Sequence, residues 1–380
     1  MHSFSQYLFR FLFLSILTLA TGISLNNCAS FQAFQTAGKG SPEEIKTLIS
    51  EGFDLQEVDW RGWNLFMEAA AYNSNPKALQ VFIDAGVSVD QTNAINTTPL
   101  MNAAAYNTNP LITQFLIDSG AAINQQDIFS ASPLIYATLH SNPNIEVIRV
   151  LLNSGAYIDA IDFHGNTSLM YATRQSFNIK IIELLIDSSA TIQTSNNEGK
   201  NALMFAAERT VFSDIDHKVI KIIIASGIDV SASDNNGKTA LMYAAENSRD
   251  ANVIQHLINA GSWINAFDQR NQTPLMYAAS HNNSNIVAEL MTAGANIEAR
   301  NITGNTPLLL AAKDNTDAKV IETLLNFGAN SSASNNLGET AWDLFQNNSA
   351  ISHSDDKPGM EIQLKFIAKS LEEGSYRYLP

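Results

Sequence analysis

Apolar positions fall into short runs at helical spacing, separated by turns rich in Asn, Asp and Gly. The stretch 271–300 shows the pattern. Thr273-Pro274 predicts a helix start, because a Thr hydroxyl can satisfy a free N–H of the first turn and Pro suits the first helical position. Leu275, Ala278 and Ala279 give that helix a short apolar face whose small residues admit a close neighbour. Asn282-Asn283 breaks it, and Ile286, Val287, Leu290 and Met291 form a second face at helical spacing. Gly294 occupies the left-handed slot that ends helices, and an extended link runs to the next turn. Two such short amphipathic helices cannot bury their own apolar surface. They need copies of themselves on both sides.

The copies are present. The opening element recurs as Asn64-Leu65-Phe66, Thr98-Pro99-Leu100, Ser132-Pro133-Leu134, Thr167-Ser168-Leu169, Asn201-Ala202-Leu203, Thr239-Ala240-Leu241, Thr273-Pro274-Leu275, Thr306-Pro307-Leu308 and Thr340-Ala341-Trp342. Steps between the middle residues are 34, 34, 35, 34, 38, 34, 33 and 34. A second ruler, the helix-ending glycine, stands at Gly52, Gly86, Gly120, Gly155, Gly227, Gly261, Gly294 and Gly328, with Ser189 in the odd slot. A period near ~33 with T-P-L-x-x-A-A and a closing Gly-Ala resembles the ankyrin repeat. The resemblance runs from about Glu43 to Leu371 and implies an all-α ankyrin-repeat solenoid. Its helix-turn-helix units would stack behind projecting β-turn fingers, with capping units at both ends, as one elongated body.

Departures from the family pattern carry information. Where the family usually has a His that ties neighbouring repeats, this chain has Met67, Met101, Met170, Met204, Met242 and Met276, with Ile135 and Leu309 in two other copies. At this spacing the methionine column predicts core packing rather than an adaptable binding groove. The turn between the helices holds asparagines (Asn73, Asn75, Asn107, Asn109, Asn282, Asn283), which tolerate a left-handed backbone and can cap the second helix. Ser189 is expected to be left-handed at a cost of about 1 kcal/mol. The long step reflects an insertion between Ala207 and Ile220, expected to lengthen a loop and make the surrounding repeats the least stable.

Composition narrows the partners. A formal net charge of −15 and the absence of a basic stripe argue against nucleic acid and against charge-driven attachment to anionic lipid. The single cysteine, Cys28, rules out an intrachain disulfide framework and a cysteine zinc site. The ten-residue apolar run from Phe11 to Ala20 is short for a membrane span and suits a secretory signal core. Two processing routes stay open, ordinary cleavage near Ala20-Thr21-Gly22 or lipidation of Cys28 in Leu25-Asn26-Asn27-Cys28, which resembles a loose bacterial lipobox; an uncleaved helix from Phe11 to Leu25 is the lesser alternative. The expected layout is a signal at 1–28, a linker and N-terminal cap at 29–58, repeats at 59–337, a C-terminal cap at 338–373 and a tail at 374–380. The N-terminal cap would pair a helix near 31–37 with one opened by Ser41-Pro42-Glu43-Glu44.

The finger tips suggest where a partner would sit. Trp60, Trp63, Ile95, Ile128, Phe129, Phe163 and His164 fall on the N-terminal fingers, and Tyr72 and Tyr106 end the first helices beside them. The next three fingers are polar. Exposed aromatics on adjacent fingers would form a protein-binding edge. The alternative is that Trp60 and Trp63 seal the cap while Phe129 and Phe163 pack on neighbouring fingers.

Nothing in the pattern points to catalysis. The seven histidines are scattered, and no HExxH, GxSxG, GxGxxG or phosphate loop occurs. The turn-opening aspartates (Asp59, Asp127, Asp162, Asp234, Asp268) recur with the period and are expected to cap turns. The expectation is therefore a non-enzymatic, monomeric scaffold with no cofactor and no metal. It would be exported to the periplasm, or held at the outer membrane by a lipid on Cys28, and would bind a partner protein on its concave face and fingertips. A secreted effector acting on a host protein, or an inhibitor or protective partner of a periplasmic enzyme, are the alternatives.

Overall fold

The computed structural model describes residues 28–140, 143–175, 178–209, 216–281 and 283–348. The apolar N-terminal run, most of the insertion, the closing helix expected near 360–371 and the tail lie outside the described residues. Two compact units are described separately, Met1–Ala190 and Thr191–Pro380.

The first unit contains α1 (Cys28–Lys39), α2 (Pro42–Ser50), α3 (Leu65–Tyr72), α4 (Pro76–Asp84), α5 (Pro99–Tyr106), α6 (Pro110–Asp118), α7 (Pro133–Leu139), α8 (Ile145–Asn153), α9 (Ser168–Gln175) and α10 (Ile179–Asp187). Each starts for a local reason. Ser41 and Glu44 form a capping box at α2, and the Asn64, Thr98 and Ser132 side chains accept the third N–H of α3, α5 and α7. Asn75, Asn109, Asn144 and Asn178 cap α4, α6, α8 and α10. Odd-numbered helices pack on odd and even on even, in sequence order.

The second unit repeats this with α11 (Ala202–Ala207), α12 (Asp216–Ala225), α13 (Ala240–Asn247), α14 (Ala251–Asn259), α15 (Pro274–His281), α16 (Ser284–Thr292), α17 (Pro307–Asp314), α18 (Ala318–Asn326) and α19 (Ala341–Asn347). Here α11, α13, α15, α17 and α19 stack as one layer, and α12, α14, α16 and α18 as the other. Among the described residues the only β-structure is isolated antiparallel bridges at finger necks, such as Val58 with Asn64 and Ser233 with Thr239.

The methionine column is core. All six methionines, with Ile135 and Leu309, are at most 2% exposed, so the adaptable-groove reading fails. The inter-repeat tie that the family usually draws from histidine is made here by asparagine. Asn107 Nδ2 donates to the carbonyls of Ala70 (2.8 Å) and Asn73 (2.9 Å), one repeat back. Asn73 does the same to Ala37 and Gly40, and Asn348 to Ala312 and Asn315. Buried amides that satisfy two backbone carbonyls across a joint fix the spacing of the joint as well as stabilising it. At the described turn asparagines Asn73 (φ −78°) and Asn107 (φ −80°) the backbone is extended rather than left-handed. Left-handed asparagines sit instead at finger tips, Asn96 and Asn271. The helix-ending glycines do have positive φ, and Ser189 shares their conformation at φ +70°.

Candidate protein-binding face

Every finger opens on Asp or Asn, whose Oδ1 accepts the N–H groups two and four residues on. Asp234 Oδ1 receives Asn236 and Lys238 at 2.8 Å each, and Asn301 Oδ1 receives Thr303 at 3.1 Å and Asn305 at 2.9 Å. One side chain thus holds the whole turn. Fingers also join one another. Ile128 N–H donates to the Ile95 carbonyl (3.1 Å) and Phe163 N–H to that of Phe129 (2.7 Å); within the second unit Asn235, Gln269, Ile302 and Asn336 make bonds of the same kind.

The expected binding residues separate into three groups. Trp60, Ile128, Phe163 and Tyr72 expose 51%, 51%, 62% and 43% of their surface. Ile95, Phe129, His164 and Tyr106 are half-buried. Trp63 is 4% exposed and belongs to a core cluster with Met67, Ala71 and Tyr106, so it is not a fingertip contact. The backbone N–H of Trp63 donates to Asp59 Oδ1 at 3.0 Å, and the Arg61 guanidinium covers one face of its ring.

Arg61 organises this end of the unit. Its guanidinium lies 3.9 Å from the centre of the Trp63 ring, donates from Nε to Asp59 (2.6 Å) and from Nη1 to the Tyr72 hydroxyl (3.4 Å), and pairs with Glu68 through Nη2. Burial alone would lower its pKa, but Asp59 and Glu68 outweigh it and the pKa is raised. Burial raises the Glu68 pKa, with Arg61 acting in the opposite direction. Arg61 is thus a structural cation whose charge is matched by two carboxylates.

Around it runs a ladder of rings across three repeats. Trp63 and Tyr106 meet edge-on at 5.4 Å, Tyr72 and Tyr106 at 6.0 Å, and Tyr106 and His140 edge-on at 5.0 Å. Helix ends place them: Tyr72 and Tyr106 are the last residues of α3 and α5, and His140 caps α7. His140 had no assigned role in the sequence. The signal was its register, one period beyond Tyr106. Burial raises the Tyr106 pKa and lowers that of His140, so at neutral pH both rings are uncharged.

In the second unit the register of Trp63 holds Lys200 and Lys238. Lys200 and Lys238 lie 4.8 and 4.3 Å from the Tyr243 ring centre, and pair with Glu208 and Glu246. Among the described residues no group of three or more His, Cys, Asp or Glu side chains is placed to hold a metal ion. No described helix is long and apolar enough to cross a membrane.

Comparison with known proteins agrees with the geometry. A family model for ankyrin repeats in three copies matches residues 31–127, 100–196, 134–234, 175–268 and 203–301, and a single ankyrin-repeat model matches 303–336. Among solved structures, the human ASB11 ankyrin repeat domain is similar at 24% identity and a TM-score of 0.54, covering 62% of this chain and 99% of that one. At that identity the likeness concerns the fold alone. No curated protein matches. With family models spanning nearly all of 31–336, asparagine-tied helix pairs stacked in sequence order, and a finger on every repeat, the chain belongs to the ankyrin-repeat family.

Proposed function

We propose that this chain is an exported protein-interaction scaffold, and that it holds its partner on the first-helix face and fingertips of the first unit. The family supports an interaction scaffold; partner and place are this reading's own. The observation that carries it is the neutral ring ladder from Tyr72 to His140, flanked by exposed Trp60, Ile128 and Phe163. Rigid aromatics on adjacent elements are the commonest interface anchors.

Export rests on the apolar run from Phe11 to Ala20, and anchoring rests on the placement of Cys28 just beyond it. Cys28 also begins α1, the helix that packs on α3, so a lipid there would tether the chain through its first unit. Incorporation of labelled palmitate that disappears in Cys28→Ala supports the anchored form. Absence of incorporation in the wild-type chain leaves the freely exported form, and label that persists in Cys28→Ala places the lipid on another residue. The binding face is tested with Trp60→Ala and Phe163→Ala. These exposed side chains should leave the melting temperature within about 0.5 kcal/mol equivalent of wild type and should abolish partner recovery together. Unchanged recovery with both replaced would move the site elsewhere.

A further inference from the structure

Within the second unit a groove of about 330 Å³ opens between the segment carrying Asn265 and Phe267 and the one carrying Asn296 and Arg300. That is room for a small molecule or for one residue of a peptide. Asn265 ties the two sides together, its Oδ1 accepting the Asn296 N–H (2.7 Å). Phe267 leaves 67% of its surface exposed, in a register that holds Ser195, Ser233 and Ser334 in other repeats of the unit. Arg300 is clamped. Its Nη1 donates to the carbonyls of Gly304 (2.9 Å) and Ser334 (2.7 Å), which fixes the guanidinium across two repeats. Its Nε–Nη2 edge has no partner among the described residues. The carboxylates of the two segments are committed elsewhere. Glu298 Oε1 accepts the Asn330 N–H of the next repeat (2.8 Å). Asp268 is 6% exposed; its Oδ1 accepts the N–H groups of Arg270 and Gln272, and its Oδ2 the Tyr277 hydroxyl.

We propose that this groove binds a carboxylate carried on a flat apolar group, with the carboxylate on the Nε–Nη2 edge of Arg300 and the ring against Phe267. The site is independent of the partner-binding face in the first unit. Side by side, Nε–H and Nη2–H match the two oxygens of a carboxylate, a bidentate pairing that lysine cannot make. The two backbone bonds hold the guanidinium before a ligand arrives, which removes part of the ordering cost of binding. Charge selects the sign: a cation would meet Arg300 with no carboxylate free to pair it, and a neutral molecule would forgo the ion pair. Phe267 selects against a bare anion, since phosphate or acetate would use the arginine and leave the ring in water. A free aryl acid and a peptide ending in phenylalanine share this chemistry.

The test uses the full chain and ligand-observed NMR with phenylpropionate, its uncharged amide, acetate and inorganic phosphate. Phenylpropionate should bind with a Kd of about 1 mM, the range for so few atoms, and the other three at least about tenfold more weakly. Phe267→Ser, which installs the residue of the neighbouring register, should weaken phenylpropionate about tenfold. Arg300→Lys, which keeps the charge and loses the fork, should do the same. Phe267 is exposed, so its replacement leaves the fold intact even where Arg300→Lys loosens the finger it ties. A tripeptide of two alanines and a final phenylalanine, with a free or an amidated C-terminus, distinguishes the sources. Binding of the free form assigns the groove to a chain terminus, and binding of phenylpropionate alone assigns it to a free acid. No binding of either acid, equal binding of the amide or of phosphate, or indifference to either substitution would each overturn the proposal.

Discussion

Ser189 shows what one side chain costs when the backbone is set by its neighbours. It has φ +70°, in a slot filled elsewhere by glycine, and a Cβ built on Gly86, Gly120, Gly155 or Gly227 meets nothing within 4 Å. Space is therefore not at issue, and only the left-handed backbone is penalised. Ser189→Gly should raise stability by about 1 kcal/mol, read as a higher melting temperature; an unchanged or lower value would contradict this account. That slot was legible because a glycine ruler with one gap names its exception. Trp63 was not. A tryptophan one residue past a finger turn reads as a tip from spacing alone, and its burial depends on Arg61 closing over the ring, a contact that follows from side-chain reach rather than from any period.

At the scale of one repeat, the finger and the first helix are coupled by a rule visible in both sequence and structure. Where the finger opens on a buried Asp, a tyrosine stands nine residues on and donates to Oδ2: Tyr136 to Asp127 (2.8 Å), Tyr171 to Asp162, Tyr243 to Asp234 (2.7 Å) and Tyr277 to Asp268 (2.7 Å). Where it opens on Asn, the ninth residue is Asn102, Phe205, Leu310 or Leu344. The first finger uses Arg61 between Asp59 and Glu68 to the same end. One carboxylate oxygen serves the turn; the other, being buried, needs a donor of its own. Burial and the Asp234 bond both raise the Tyr243 pKa, so it remains a donor well beyond neutral pH.

Tyr243→Phe alone should cost about 1–3 kcal/mol by stranding that oxygen, and Asp234→Asn combined with it should cost less than the sum of the single changes. Additive losses in chemical denaturation would show that the pair is not coupled. The turn role of the aspartates was readable from their recurrence. The choice between Asp and Asn was not, because it depends on a partner whose direction only the folded helix supplies.

At the scale of the molecule, period and patterning were enough to foretell stacked helix pairs, since no pair can bury its apolar face alone. They did not foretell that asparagine amides would bind the joints. The two units also differ in what their first-helix faces offer: neutral rings in the first, paired lysines and glutamates in the second. That contrast locates the proposed partner in the first unit. The most direct test places a photo-crosslinking phenylalanine at Tyr72, and separately at Phe327, an exposed position of the second unit. The full chain is then irradiated in its own cells. The account predicts one protein captured in high yield from the Tyr72 position and not from Phe327; capture from Phe327 alone, or equally from both, would contradict it.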